Sequence, residues 1–143
     1  MIGPLLDELK AEHSWIFELG FVAVYSDYSR KYFGNSWVIF KSSELRLRFT
    51  RDRSQVLVGV AHPADPDAWW DLWHVLDFLT GKPAGELEFF VPAERRFRLD
   101  ELMQQLRNNY PEILRRFTTE WSSTKLELER RLIRPATPAP GSL

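Results

Sequence analysis

Three aspartates and a histidine recur at helical spacing between residues 67 and 77. Asp67, Asp71, His74 and Asp77 are separated by steps of four, three and three, which would place them on one helix face. Carboxylate oxygens and an imidazole nitrogen bind divalent cations, so Asp71, His74 and Asp77 are the candidate metal ligands. No second group of ligands accompanies them, however, and every amphipathic helix needs a polar outer face. The pattern therefore favours a solvated face, and we expect neither a metal nor a cofactor.

A second histidine, His62, stands beside Asp65 at the end of a predicted strand. A loop at that position could project the imidazole as a general base. Because no Ser or Lys nucleophile is placed next to it, the segment is more typical of a structural turn. A small metal-dependent hydrolase using His62, His74 and nearby Asp residues remains an open alternative.

A cluster of arginines and apolar residues marks the strands in the middle of the chain. We predict that it occupies the sheet face turned away from the core and forms a candidate binding surface. That surface comprises Trp37, Ile39, Arg46, Arg48, Arg51, Arg53 and Leu57. It could dock an acidic protein, an anion or a nucleic acid. Alternatively, the arginine stems cover the apolar side chains and the guanidinium groups pair with nearby carboxylates. Because the face is more apolar than a solvated face, we expect something to cover it.

Composition limits the classes of function. The 143 residues contain no Cys, which excludes disulfides, thiolate catalysis and Cys-ligated metal centres. The first residues include neither a basic region nor a sustained apolar run, so we expect a cytoplasmic protein without a membrane span. Residues 1–94 hold nine basic and fourteen acidic side chains, a balance that disfavours nucleic-acid binding. Without a glycine-rich phosphate loop or a nucleophile elbow, the chain is more typical of a binder than of a catalyst.

Alternating apolar and polar residues from 35 to 61 predict an antiparallel β-meander with one buried face. A two-residue turn at Ser42-Ser43 would pair Phe40 with Leu45. A turn at Asp52-Arg53 would pair Phe49 with Val56. Both turns bury the same face, and four-residue loops of the same parity fit equally well.

Helices flank this meander in the predicted order of elements. We expect a first helix over residues 4–18, a first strand over 21–25 and a loop ending at Gly34. Asp67 would cap a helix whose apolar stripe includes Trp69 and Leu72, and Gly81 would end it. The segment 87–91 fits either a fifth, edge strand or a linker. Further on, a helix starting near Leu99 would break at residues 109–111, followed by a long helix of about 22 residues.

The fold class that follows is α+β. We predict a four-stranded or five-stranded antiparallel meander packed with an N-terminal helix and C-terminal helices. Residues 1–134 would form one domain, and residues 135–143 a flexible Pro-rich tail.

Three segments, residues 33–42, 45–53 and 69–79, carry a resemblance that spans about residues 19–80. They resemble a family of small uncharacterised bacterial proteins, some of which are similar to immunity proteins of contact-dependent or polymorphic toxin systems. The resemblance implies a compact cytosolic protein that neutralises a partner by surface complementarity and charge opposition. It implies no catalytic residues.

The leading hypothesis is therefore a non-catalytic protein-binding module with an immunity-like role. Its partner would be another protein or a second copy of the chain, through the face of Trp37, Ile39 and Leu57 or through the long C-terminal helix. The metal-dependent hydrolase and a weak nucleic-acid binder that uses the arginine face are the alternatives.

Overall fold

The computed structural model describes residues 4–29, 35–83 and 91–133 of the chain. Along these residues, two helices come first, five strands follow, and the remaining helices come last. In chain order they are α1 (Pro4–Glu12), α2 (Trp15–Glu18), β1 (Val22–Ser29), β2 (Asn35–Lys41), β3 (Arg46–Asp52), β4 (Gln55–Ala61), β5 (Trp70–Asp71), α3 (Leu72–Thr80), α4 (Ala93–Arg96), α5 (Leu99–Phe117) and α6 (Trp121–Ile133).

The strands form one antiparallel sheet in the order β1-β2-β3-β4-β5, so each strand pairs with the next in the chain. This confirms the predicted α+β class and its meander. The fifth strand is β5, in which Trp70 pairs with Val60 and Asp71 with Gly59. The segment 87–91, for which we considered a fifth strand, falls almost entirely within residues 84–90, which lie outside the described residues.

Both hairpin registers are shifted by two residues from those of the proposed two-residue turns, and the first hairpin has the four-residue loop that fitted equally well. Phe40 faces Leu47 rather than Leu45, and Phe49 faces Val58 rather than Val56. The first connection is a four-residue loop in which the Ser42 hydroxyl accepts the backbone N–H groups of residues 44 and 45. A shift of two preserves parity, so the side chains point to the predicted faces.

The inner face of the sheet carries the core. Helix α1 lies over β2, while α3 and α5 lie over β4. Phe40 and Phe49 meet edge to face, with ring centroids 5.7 Å apart. The buried inner-face residues are those predicted, namely Val38, Phe40, Leu45, Leu47, Phe49, Val56, Val58 and Val60.

The N-terminal boundaries need two corrections. The single helix expected over residues 4–18 is divided at His13 and Ser14 into α1 and α2. Strand β1 continues to Ser29 instead of ending at residue 25, because its residues pair with β2 up to Asn35. As the edge of the sheet, β1 does not need the apolar alternation by which inner strands were identified.

Helix α3 begins at residue 72, and Asp67 does not cap it. The Asp71 carboxylate accepts the backbone N–H of Trp73 at 3.0 Å and is the N-cap. Gly81 ends the helix with φ +72°, as predicted. Trp69, expected in the apolar stripe of this helix, therefore lies before it.

The predicted break at residues 109–111 is wrong. Helix α5 continues through Pro111 to residue 117, and the chain breaks at residues 118–120 instead. A proline in a helix interior costs about 3 kcal/mol. The burial of Leu106, Ile113 and Phe117 along one side of the helix offsets that cost.

The predicted long helix is thus divided between the end of α5 and the 13 residues of α6. Residues 135–143, predicted as a tail, lie outside the described residues. Where the structure describes helices, none combines the length and the apolar character that crossing a membrane requires.

Candidate functional site

The outer face of the sheet, opposite the core, presents residues in rows that cross the strands. One row consists of Ile39, Arg48, Gly59 and Asp71, one residue from each of β2 to β5. An open groove of about 450 Å³ runs over this face. We call it the outer groove, and its lining comprises Trp37, Arg48, Thr50, Leu57, Val58, Gly59, Trp69 and Asp71.

Trp69 forms one wall of the outer groove because Gly59 leaves room for it. A Cβ atom added to Gly59 would lie 3.4 Å from Cε3 of the Trp69 ring. Glycine inside a strand often marks such a close approach. The ring covers the β4 end of the outer face, where Ala61 is fully buried.

Two arginines flank the Trp69 ring, in different circumstances. Arg46 lies 5.3 Å from the ring centroid and donates a hydrogen bond to the Pro66 carbonyl at 2.8 Å, which ties down the loop that carries Trp69. Arg48 lies 4.8 Å from the same centroid. Within residues 4–29, 35–83 and 91–133, no carboxylate or carbonyl accepts a hydrogen bond from Arg48. Arg48 is half-buried, and this burial lowers the pKa of Arg48 because it disfavours the charged form.

The opposite wall of the outer groove is aromatic and apolar. Trp37 stacks on Tyr25 of the edge strand, with ring centroids 6.4 Å apart. Leu57 remains 44% exposed beside them, and Tyr25 remains 47% exposed. The apolar surface of the outer face therefore continues through exposed side chains to the sheet edge.

Arg51 and Arg53 do not belong to the outer face, which corrects the predicted surface. Arg51 shares the inner side of β3 with Phe49, and its guanidinium pairs with Glu8 of α1 at 2.9 Å. Arg53 is in the tight turn between β3 and β4, with φ +62°, and its backbone N–H donates to the Asn35 side chain. Successive side chains of β3 point to opposite faces, so Arg46 and Arg48 point outward and the odd-numbered residues point inward. The predicted surface did not take this alternation into account when it included Arg51.

Acidic residues stand around the outer groove. Asp27 is in the row of Trp37, and Asp52 is in the last paired row of β3. Asp71 lines the groove itself and caps α3. Although much of the Asp71 residue is exposed, desolvation of its carboxylate raises the pKa of Asp71 above its usual value, while hydrogen bonds from the backbone of Trp73 and His74 act in the opposite direction. The outer face thus carries the cations of Arg46 and Arg48, with the carboxylates of Asp27, Asp52 and Asp71 around them.

The candidate metal ligands do not converge. Asp77 is only 1% exposed, whereas Asp71 is exposed at the other end of α3. The Nε2–H of His74 donates to the Leu128 carbonyl at 3.1 Å, which joins α3 to α6. The expected solvated face is therefore in part a packing face. In the part of the chain that the structure describes, no group of three or more His, Asp or Glu side chains could hold a metal ion.

His62 is in the loop after β4, where its Nδ1 accepts the backbone N–H of Ala64 at 3.0 Å. Its ring stacks on Trp121 of α6, with centroids 4.9 Å apart. Asp65 pairs with Lys125 at 3.4 Å. These contacts join the loop after β4 to α6. His62 and Asp65 therefore each have a partner on α6.

Sequence reasoning missed Trp69 and Gly59 as parts of the site. The glycine within an otherwise apolar strand was the available signal, because such a glycine commonly indicates a bulge or a close neighbour. Trp69 was assigned to a helix because its spacing from Leu72 and Trp73 fits a helical stripe.

No protein-family model matches the chain, and neither the curated proteins nor the solved structures contain a match.

Proposed function

We propose that this chain is a non-catalytic protein-binding module whose partner docks on the outer groove. One observation carries the proposal: an open groove with Trp37, Trp69 and Leu57 on its walls surrounds a half-buried arginine that has no acceptor among the described residues. Trp and Arg are the residue types most enriched among those that dominate the energetics of protein interfaces.

The chemistry of the lining supports binding over catalysis. The polar side chains of the outer groove belong to Arg48, Thr50 and Asp71. The Asp71 carboxylate already accepts a backbone N–H at 3.0 Å as a helix cap. A general base with no neighbouring nucleophile or metal supplies little of a catalytic constellation.

The resemblance to immunity proteins suggests the biological form of this proposal. The chain would be a cytoplasmic protein that neutralises a partner by covering part of its surface. An exposed apolar face with a cation at its centre suits such a role, because apolar burial supplies affinity while charge selects the partner.

A peptide-display selection tests the proposal directly, because it does not require the natural partner. A phage library of random peptides of about 12 residues would be selected on the immobilised full chain, and single clones would then be measured as synthetic peptides. We expect binders whose affinity falls by about tenfold or more with Trp37→Ala or Leu57→Ser.

The matched control is Leu126→Ser on α6, whose side chain is 57% exposed but does not line the outer groove. We expect this variant to bind the peptides as the wild type does. Thermal unfolding of each variant would verify the fold. A selection that returns no binders, or binders indifferent to Trp37→Ala and Leu57→Ser, would refute the proposed function.

A further inference from the structure

We infer that the occupant of the outer groove is an acidic segment of another protein, which presents a carboxylate to Arg48 between apolar side chains. This inference rests on the proposed function and adds the chemistry of the partner to it.

Docking of any partner would change the surroundings of Arg48. Any occupant that fills the groove removes the remaining water from this side chain, whose guanidinium carries five N–H donors. Trp69 stabilises the charge through its ring, but the ring accepts none of the in-plane N–H groups. No acceptor for them exists among the described residues. A purely apolar occupant would therefore leave a buried, unpaired cation, which is among the most unfavourable arrangements in a protein interface.

A carboxylate is the acceptor that fits. Its two oxygens match the planar donors of a guanidinium and form a bidentate pair. Trp37 and Leu57 on one wall and Trp69 on the other provide apolar contact on either side of that pair. The expected ligand is thus an Asp or Glu flanked by aliphatic or aromatic residues.

The surrounding charges distinguish this ligand from a nucleic acid. Asp27, Asp52 and Asp71 stand on the outer face, and the whole chain has a net charge of −1. A polyanion laid across the face would meet these carboxylates, whereas a segment with one or two acidic side chains can place them at Arg48 alone.

The position of Arg48 also disfavours a second copy as the occupant. Arg48 is on β3, the middle strand of the five. Two copies packed face to face about a twofold axis that passes close to β3 would bring the two Arg48 side chains towards each other, with like charges opposed.

The peptides selected on the wild-type chain also test the ligand chemistry. We expect them to share an Asp or Glu at a fixed position next to apolar residues. Changing that residue to Asn or Gln should weaken binding by about tenfold or more, and so should Arg48→Gln in the chain. The two changes together should cost little more than either alone, because both remove the same pair.

Arg130→Gln is the matched control, since Arg130 is a 60% exposed arginine of α6 and should leave affinity unchanged. Peptides that bind through Trp37 but are neutral, or whose acidic residue is not coupled to Arg48, would overturn the inference and leave the proposed function standing. Absence of any Trp37-dependent peptide would overturn the proposed function itself.

Two further measurements test the other occupants. Sedimentation of the full chain should show no self-association that Leu57→Ser abolishes, and a single-stranded DNA of about 20 nucleotides should not bind through Arg48 at physiological salt. Self-association that depends on Leu57 would identify a second copy as the occupant, and Arg48-dependent DNA binding would identify a nucleic acid. Either result would overturn the inference.

Discussion

The two faces of the sheet are made from the same strands but have different surroundings. On β3, Leu47 and Phe49 point inward and are fully buried under helices. Arg46 and Arg48, their neighbours in sequence, point outward into a groove that Trp69 partly covers. The inner face buries its apolar side chains under helices of the same chain. On the outer face, apolar side chains remain exposed, and Arg48 has no hydrogen-bond acceptor among the described residues. Stability is therefore expected to depend on the inner face and binding on the outer face.

The sharpest contrast in stability is between Phe49 and Leu57. Phe49→Ala should lower the free energy of unfolding by about 3–5 kcal/mol, because a fully buried ring leaves a cavity. Leu57→Ala should cost less than about 1 kcal/mol, since that side chain is 44% exposed. Urea denaturation of both variants would measure the difference. Equal costs would mean that the outer face is part of the core.

Trp69 lines the outer groove and also directly precedes β5, so its replacement should affect stability as well as the groove. Trp69→Ala should cost about 1–2 kcal/mol through lost burial and lost cation–π contacts with Arg46 and Arg48. Trp69→Phe should retain most of that stability, as it keeps a ring over Gly59. If Trp69→Ala unfolds as the wild type does, the ring is not a structural wall of the groove.

Variants of Asp71 test how much this groove residue contributes to stability as the N-cap of α3. Asp71→Ala should cost about 1 kcal/mol because the N-cap of α3 is lost. Asp71→Asn keeps an acceptor for the Trp73 N–H and should cost less.

The raised pKa of Asp71 predicts the direction in which the free energy of unfolding changes with pH. Because burial raises the pKa of Asp71 in the folded chain, the stability linked to its protonated form is present below about pH 4 and is lost as the pH rises through the folded pKa. The wild type should therefore lose stability relative to Asp71→Asn as the pH rises above about 4. Urea titrations at several pH values would show parallel curves instead if Asp71 is not desolvated.

The inner face could be predicted from the sequence because it depends only on parity. Either register, the proposed one or the one shifted by two, turns Phe40, Leu47 and Val58 to the same side. Turn length stayed open between two and four residues because no glycine marked the turn, and the Ser42 hydroxyl closes the four-residue loop that is observed.

The outer face could be predicted only in part. Trp37, Ile39, Arg46, Arg48 and Leu57 share the face that alternation assigned to them. Trp69 was missed because its helical spacing to later residues concealed a short strand, β5, that tertiary pairing with β4 creates. Pairings of this kind, like the continuation of α5 through Pro111, depend on packing partners that a local pattern does not contain.

The most direct test of the account is to measure stability and binding together in Arg48→Gln. We predict that the free chain unfolds within about 0.5 kcal/mol of wild type, because the lost contact with Trp69 and the relieved desolvation oppose each other. The same variant should bind the selected acidic peptides at least about tenfold more weakly. A loss of about 2 kcal/mol in stability with unchanged peptide affinity would contradict the account, since Arg48 would then support the fold rather than a partner.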